Sequence, residues 1–333
     1  MAASYPGCRE AVRKAHKIRD IPEEALKFIV ASRSNSTQKQ YDTALKKWWS
    51  FCDVNKIDPY EFNVSNIWKF LSEEFEKGAA EGTLNSFRSA ISAIHGPQVG
   101  EEIDIKRFFT GVRKLRPSLP KYDVTWDPGI VLQYFSSLAE NNELSLPLLS
   151  KKLITLLALI TAHRLQTLSV IRVENIEIAF GETIIIKIPD NIKTSGKNRL
   201  QPILRIPFFP GNTRVCPTST MVEYLNRTKP LRNAEKDAFL FISYRGPHDC
   251  VSKETLSRWV TQTMALAGLD TNIFSAHSTR HASTSKAKRC GVSIDVIRKT
   301  ATWTPDSLTF ARFYDREINT EANDFARSIL NNN

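Results

Sequence analysis

Residues 153–188 read LITLLALITAHRLQTLSVIRVENIEIAFGETIIIKI, and the change of period inside this stretch decides the fold class. Residues 153–162 are continuously apolar but too short to cross a bilayer, so they read as the buried part of a helix predicted over 146–162. The β-branched runs at 176–180 and 183–188 then read as two strands, joined by a tight turn at Gly181-Glu182. A longer polar connection, 189–199, leads to a third strand over 200–208. Helical periods flank the sheet on both sides, over 128–139 before it and over 218–226, 253–266, 278–290, 294–301 and 320–330 after it. The pattern predicts an α+β class, mostly helical, with a small antiparallel sheet inside a helical domain.

Upstream, residues 116–125 (RPSLPKYDVT) hold two prolines and no period, and read as a linker between domains. Before them, over 21–115, every period is helical. Tyr41, Leu45, Trp48 and Cys52 share a face behind a candidate N-cap at Ser36 or Thr37. Ile67, Phe70, Leu71 and Phe75 make a second stripe. Leu84, Phe87, Ile91 and Ile94 make a third, stopped by Gly96-Pro97, and Ile105, Phe108, Phe109 and Val112 begin a fourth. The expected organisation is a polar, flexible tail over 1–20, an all-helical domain over 21–115, the linker, and a larger domain over 126–333.

The chain carries 46 Lys and Arg against 35 Asp and Glu, a formal charge of +11. Basic residues outnumber acidic ones by 20 to 16 before Thr125 and by 26 to 19 from there on. Both parts therefore suit a polyanion, nucleic acid ahead of an acidic membrane. The five cysteines are scattered and form no CxxC pair, which speaks against a disulfide framework and a structural zinc site. Reduced thiols point to a cytosolic or nuclear compartment. The first twenty residues hold no apolar segment of the secretory kind.

Three clusters carry chemistry. The first is Thr161-Ala-His-Arg164-Leu-Gln-Thr-Leu168, an arginine directly behind the apolar helix. By itself it reads as a helix-end cation meeting the local dipole. The second is Ala276-His277-Ser-Thr-Arg280-His281, where His277 and Arg280 stand three apart at a helix start. A guanidinium that grips two oxygens beside an imidazole that handles a proton suits a phosphate. The third is Trp303 followed by Phe310-Ala-Arg-Phe-Tyr314-Asp-Arg316, a tyrosine in a basic context. Each alone is common: a capped helix start, a hydrogen-bonded tyrosine.

In this order and spacing the clusters resemble the tyrosine recombinases, the family of the phage integrases. The run from His277 to Lys288 and the segment 310–316 are most similar to recombinases of eukaryotic mobile elements, the DIRS, Ngaro and Crypton groups. The resemblance implies an N-terminal helical core-binding domain and a C-terminal catalytic domain, closing on duplex DNA between them. It implies strand cleavage and rejoining through a 3′-phosphotyrosyl bond, in site-specific recombination or integration, with no cofactor. Partners would be DNA and further copies of the chain, from dimer to tetramer, and residence in the nucleus would follow from a DNA substrate and a eukaryotic origin. Arg164 and Arg280 would clamp the scissile phosphate, His277 would take the tyrosine proton or hold the phosphate, and Trp303 would contact and scaffold it. Tyr314 would be the nucleophile. The family's general-acid lysine would be Lys193 or Lys197, in the loop between the second and third strands, with Lys193 preferred. Lys197, Lys286, Lys288 and Arg289 would contact DNA, as would Arg88, Lys46 and Lys47 in the N-terminal domain; such residues equally make solvated loops and helix faces. The stripe Ala322, Phe325, Ala326 and Ile329 would dock on a neighbouring subunit or on its own domain.

Two departures stand out. Thr167 occupies the position where many members place an acid that buttresses the first arginine, and the spacing from Trp303 to Tyr314 is longer than in bacterial members. Two other functions fit parts of the pattern. One is a domesticated DNA-binding protein that has kept the fold, and the other is a type IB topoisomerase, which shares the chemistry but has no partner strand.

Overall fold

The computed structural model describes residues 4–117, 122–179, 183–196, 200–232, 239–304, 311 and 314–318. The chain divides into two compact units, Met1–Leu119 and Pro120–Asn333.

The N-terminal unit is entirely helical: α1 Cys8–Ile18, α2 Glu23–Ala31, α3 Asn35–Asn55, α4 Val64–Glu76, α5 Glu81–His95, α6 Gln98–Glu101 and α7 Ile103–Leu115. The apolar stripes of the sequence become its core. Trp48 stacks on Phe51 at 5.6 Å and meets Phe70 edge-on at 5.4 Å, while Phe70 meets Phe87 at 5.6 Å. The cap of α3 is Ser34, whose Oγ accepts from Thr37 N at 3.2 Å, and not Ser36 or Thr37.

Residues 8–18 correct the expected flexible tail. They form α1, which buries Cys8, Ala11, Val12 and Ala15 against the unit's core. Asp42 ties the start of this helix down: its Oδ1 accepts from Cys8 N and from the Tyr5 hydroxyl, both at 2.8 Å. A carboxylate at a helix N-terminus meets the dipole favourably. Apart from His16, the buried face consists of small side chains, so it is hard to see among the charges around it.

The C-terminal unit contains β1 Val124–Thr125, α8 Pro128–Ser136, α9 Leu146–Thr161, α10 Leu165–Ser169, β2 Ile176–Ala179, β3 Thr183–Lys187, β4 Ile203–Pro207, α11 Pro217–Thr228, α12 Lys253–Leu266, α13 Ser278–Arg289, α14 Ile294–Thr300 and β5 Glu317–Ile318. Helix α9 is its centre. Leu153, Ile154, Leu156, Leu157 and Ala158 are all fully buried, and α11, α12 and α13 pack around them. Burial on every side explains why this segment is apolar without a polar stripe. Strands β2, β3 and β4 form an antiparallel sheet in which Ile184 pairs with Ile206 and Ile186 with Leu204. Those four residues face the core, and their neighbours along the strands are partly or fully exposed. The α+β class read from the sequence is the class observed.

The expected linker also needs correction at its C-terminal end. Val124 and Thr125 are strand β1, which pairs in parallel with β5, and Tyr122 is buried. A partner almost two hundred residues away cannot be read from local composition. The expected turn at Gly181-Glu182, Lys197 and the helix expected over 320–330 lie outside the described residues. No helix among the described residues is long and apolar enough to cross a membrane.

Candidate active site

The first arginine is delivered by the end of α9. Ala162 takes the left-handed conformation, φ 50°, and the next residue's N–H, that of His163, reaches back to Thr161 Oγ1 at 3.2 Å. A non-glycine residue in that region costs free energy and needs support from its surroundings. The turn puts Arg164 at the N-cap of α10. Its side chain is half-buried and makes no hydrogen bond or ion pair among the described residues. Thr167 touches Arg164 through the backbone only, its N–H donating to the Arg164 carbonyl at 2.8 Å. No hydrogen bond from the Thr167 hydroxyl to Arg164 takes the place of the acid that many members carry there, among the described residues.

The second arginine sits in the first turn of α13. Trp126 braces that turn, its Nε1 donating to Ser278 Oγ at 2.8 Å. Arg280 is 1% exposed. Its Nη2 donates to the Ala301 carbonyl at 2.6 Å, while Nε and Nη1 have no partner among the described residues. The guanidinium carbon lies 4.7 Å from the Trp303 ring and 5.4 Å from the Tyr314 ring. Burial, and then the charge of Arg164, pull its pKa down to about 10, so the cation persists at neutral pH. A buried cation with two unpartnered nitrogens, near enough to feel the charge of Arg164, makes a place for an anion.

His277, unlike Arg280, is exposed, at the N-cap of α13, and its Nε2 lies 3.0 Å from the Tyr314 hydroxyl. In the Nδ1–H tautomer the phenol donates to Nε2. Tyr314 itself is 7% exposed. Ser285 Oγ donates to its carbonyl at 2.7 Å and accepts from Arg316 N at 3.2 Å. Three residues later the chain enters β5, so the strand pair with β1 anchors this segment from behind. The Tyr314 ring is stacked on His281, centroids 4.2 Å apart with planes at 25°, and Trp303 leans on it at 4.9 Å. Trp303 follows Thr302, a second non-glycine residue in the left-handed region, φ 54°.

The structure thus brings His277, Arg280, Trp303 and Tyr314 into contact, with the Arg164 charge felt at Arg280. Sequence reasoning missed His163, His281, Ser285 and Tyr122. His163 is buried, and burial followed by the charges of Arg280 and Arg164 lowers its pKa to about 4, leaving a neutral imidazole beside two cations. The available signal was adjacency: His163 precedes Arg164 and His281 follows Arg280.

The expected general acid stands apart from this cluster. Lys193 is exposed in a turn shaped by the Ile192 N–H on Ser195 Oγ at 2.9 Å, and makes no hydrogen bond or ion pair among the described residues. Several expected DNA contacts are engaged within the protein. Lys286 pairs with Asp127 at 2.9 Å, Lys288 pairs with Asp315, and Arg289 donates to the Arg316 carbonyl at 3.4 Å. In the N-terminal unit, Lys47 pairs with Glu74 at 2.6 Å and Arg88 lies on the Phe109 face at 4.8 Å, while Lys46 is exposed. Among the described residues, no group of three or more His, Cys, Asp or Glu side chains is placed to hold a metal ion.

A helical unit with an inserted three-stranded sheet thus carries His277, Arg280, Trp303 and Tyr314 in one cluster, with the charge of Arg164 felt there. Residues 136–319 match the model of the phage integrase family. The chain belongs to that family, the tyrosine recombinases, whose members break and rejoin DNA in site-specific recombination. Solved structures share the fold. The XerH site-specific recombinase bound to difH substrate in a pre-cleavage complex is 14% identical, covering 96% of this chain and 94% of that one, with a TM-score of 0.57. The Tn1549 transposon integrase in complex with transposon right end DNA is 12% identical, covering 98% and 99%, with a TM-score of 0.57. A lambda integrase dimer bound to a COC′ core site is 15% identical, covering 88% and 94%, with a TM-score of 0.55. No curated protein matches the chain by sequence.

Proposed function

We propose that this chain cleaves and rejoins duplex DNA through a covalent bond between Tyr314 and a 3′ phosphate. The observation that carries the reading is the 3.0 Å contact between the Tyr314 hydroxyl and His277, set beside a buried Arg280 with two unpartnered nitrogens. A free phenol has a pKa of about 10 and is a weak nucleophile at neutral pH. His277 Nε2 takes its proton as Oη attacks phosphorus. Arg164 and Arg280 bind the non-bridging oxygens and offset the charge that builds up in the transition state. The bond from phosphorus to the 5′ oxygen breaks, and that oxygen takes a proton from Lys193, with Lys197 as the other candidate. The products are a 3′-phosphotyrosyl ester and a free 5′ hydroxyl.

The ester keeps the energy of the broken phosphodiester, so the reverse step needs no nucleotide hydrolysis, and this route gives no task to a metal. Attack by a different 5′ hydroxyl completes recombination. The resemblance of the motifs to those of eukaryotic mobile-element recombinases supports integration or excision of such an element as the reaction, in the nucleus. The charge of +11 supports a DNA partner. The XerH and Tn1549 structures are DNA complexes and the lambda integrase structure is a dimer on DNA, which supports self-association of this chain on its site.

The test is covalent capture. Wild type and Tyr314→Phe are incubated with duplex DNA libraries in EDTA, quenched with detergent, and protein-linked DNA is recovered and sequenced. Linkage at 3′ ends with wild type alone is the expected result. Tight DNA binding without any adduct would instead favour a binding protein that has kept the fold.

A further inference from the structure

We infer that His281 is a positioning residue for the nucleophile: its imidazole is the middle of a ring column, Tyr122–His281–Tyr314, that sets the plane of the Tyr314 ring and the place of its hydroxyl. The inference rests on the strand-transfer reading above. His281 is 8% exposed and sits face to face with Tyr314, at 4.2 Å and 25°. Behind it, Tyr122 meets the imidazole edge-on at 5.2 Å and 81°. Tyr122 is fixed in turn, its hydroxyl hydrogen-bonded to Ser275 Oγ at 2.8 Å and accepting from Ser275 N at 3.3 Å. The column therefore ends on backbone just ahead of α13.

A hydrogen bond from the hydroxyl to His277 restrains one end of the phenol but not the tilt of its ring. A stacked face restrains the tilt. His281 and Ser285 stand four apart on α13 and so lie one above the other on the same face. One holds the ring of Tyr314 and the other its carbonyl, at 2.7 Å. Arg280, which would hold the phosphate, is the neighbour of His281 on that helix. A single helix, with Arg280 on one side and His281 and Ser285 on the next, thereby registers nucleophile against electrophile, which is the geometry that converts binding into rate. His281 acts through Tyr314 and needs no contact with the phosphate.

The experiment measures single-turnover adduct formation at saturating DNA, together with DNA affinity, for wild type, His281→Ala and His281→Phe. His281→Ala should slow the cleavage step on the order of 100-fold with affinity unchanged. His281→Phe should come back to within about 5-fold of wild type, because a flat face remains without a titratable nitrogen. Wild-type cleavage by His281→Ala, or a His281→Phe as slow as it, would overturn the inference. A second measurement needs no DNA: NMR of protein labelled with 13C-tyrosine. The Tyr314 ring signal, identified by its loss in Tyr314→Phe, should be displaced by the imidazole face, move in His281→Ala and stay displaced in His281→Phe. A Tyr314 signal unmoved by His281→Ala would sink the column itself. A displaced signal without any wild-type adduct would keep the column, sink the strand-transfer reading, and remove the positioning role with it.

Discussion

Glu74 and Arg280 are both charged side chains taken out of water, one in each unit, with 5% and 1% of their surface left exposed. Glu74 is answered twice, by Lys47 at 2.6 Å and Lys77 at 3.0 Å. Burial pushes its pKa up, but the hydrogen bonds and charges of the two lysines more than offset this, and the carboxyl ends below the ordinary carboxylate range. Arg280 has a carbonyl on one nitrogen, nothing among the described residues on the other two, and a second arginine nearby. One buried charge is complete within the fold. The other is left incomplete, and an incomplete buried cation is what a phosphate completes.

That contrast can be broken by substitution. Arg280→Met should lower adduct formation about 1000-fold, since a preorganised charge stabiliser is lost, while the DNA-free protein melts at the same temperature or higher because an unpaired buried cation is gone. Cleavage kinetics and thermal denaturation read the two effects. A melting temperature that falls steeply would mean that Arg280 is structural, like Glu74.

Acid provides the next test. His95 in the N-terminal unit and His163 beside the arginines both have pKa values of about 4, lowered first by burial and then by neighbouring arginines. In the unfolded chain each titrates near 6.5, so the unfolded state binds more protons below that value. The stability they contribute is complete above about pH 6.5 and is lost between there and about pH 4, at up to roughly 3 kcal/mol each. Denaturant titrations across that range should show the loss, and His95→Phe should remove the N-terminal share. An oligonucleotide duplex should widen the stable range of wild type by binding the folded state, and should do so less in Arg280→Met.

Smaller effects belong to the complete charge. Glu74→Gln should cost about 1–2 kcal/mol, because its lysines are exposed and can turn to solvent, and should leave cleavage unchanged. Its carboxylate contribution is present above about pH 4.5 in the unfolded reference and is lost as pH falls through the folded value. Lys47→Ala should cost about 0.5 kcal/mol, since Lys77 remains on Glu74. Chemical denaturation checks both. A Glu74→Gln variant that folds normally but cleaves poorly would show that the two buried charges are not separate in function.

Much of the site was legible in residue type and order. Arg164, His277, Arg280, Trp303 and Tyr314 stood out because the combination is rare even though each cluster is ordinary. The unequal burial of His277 and Arg280 was not legible, because spacing gives a shared helix face but not which side chain the surrounding fold covers. His163 and His281 were passed over because a histidine beside an arginine has no distinctive pattern until burial and ring geometry are known. Lys286 and Lys288 looked like free phosphate contacts, and their partners Asp127 and Asp315 come from distant segments.

The sequence by itself determined the helical N-terminal unit, the three-stranded antiparallel sheet and the inventory of chemical groups. Hydrophobic period, strand propensity and turn residues are local properties, and they act over a few residues. Tertiary structure alone decided that residues 8–18 belong to a core, that residues 122–125 back the Tyr314 segment, and that Arg280 is buried with donors to spare. Those outcomes depend on which distant surfaces exclude water from one another, and a local pattern holds no record of that.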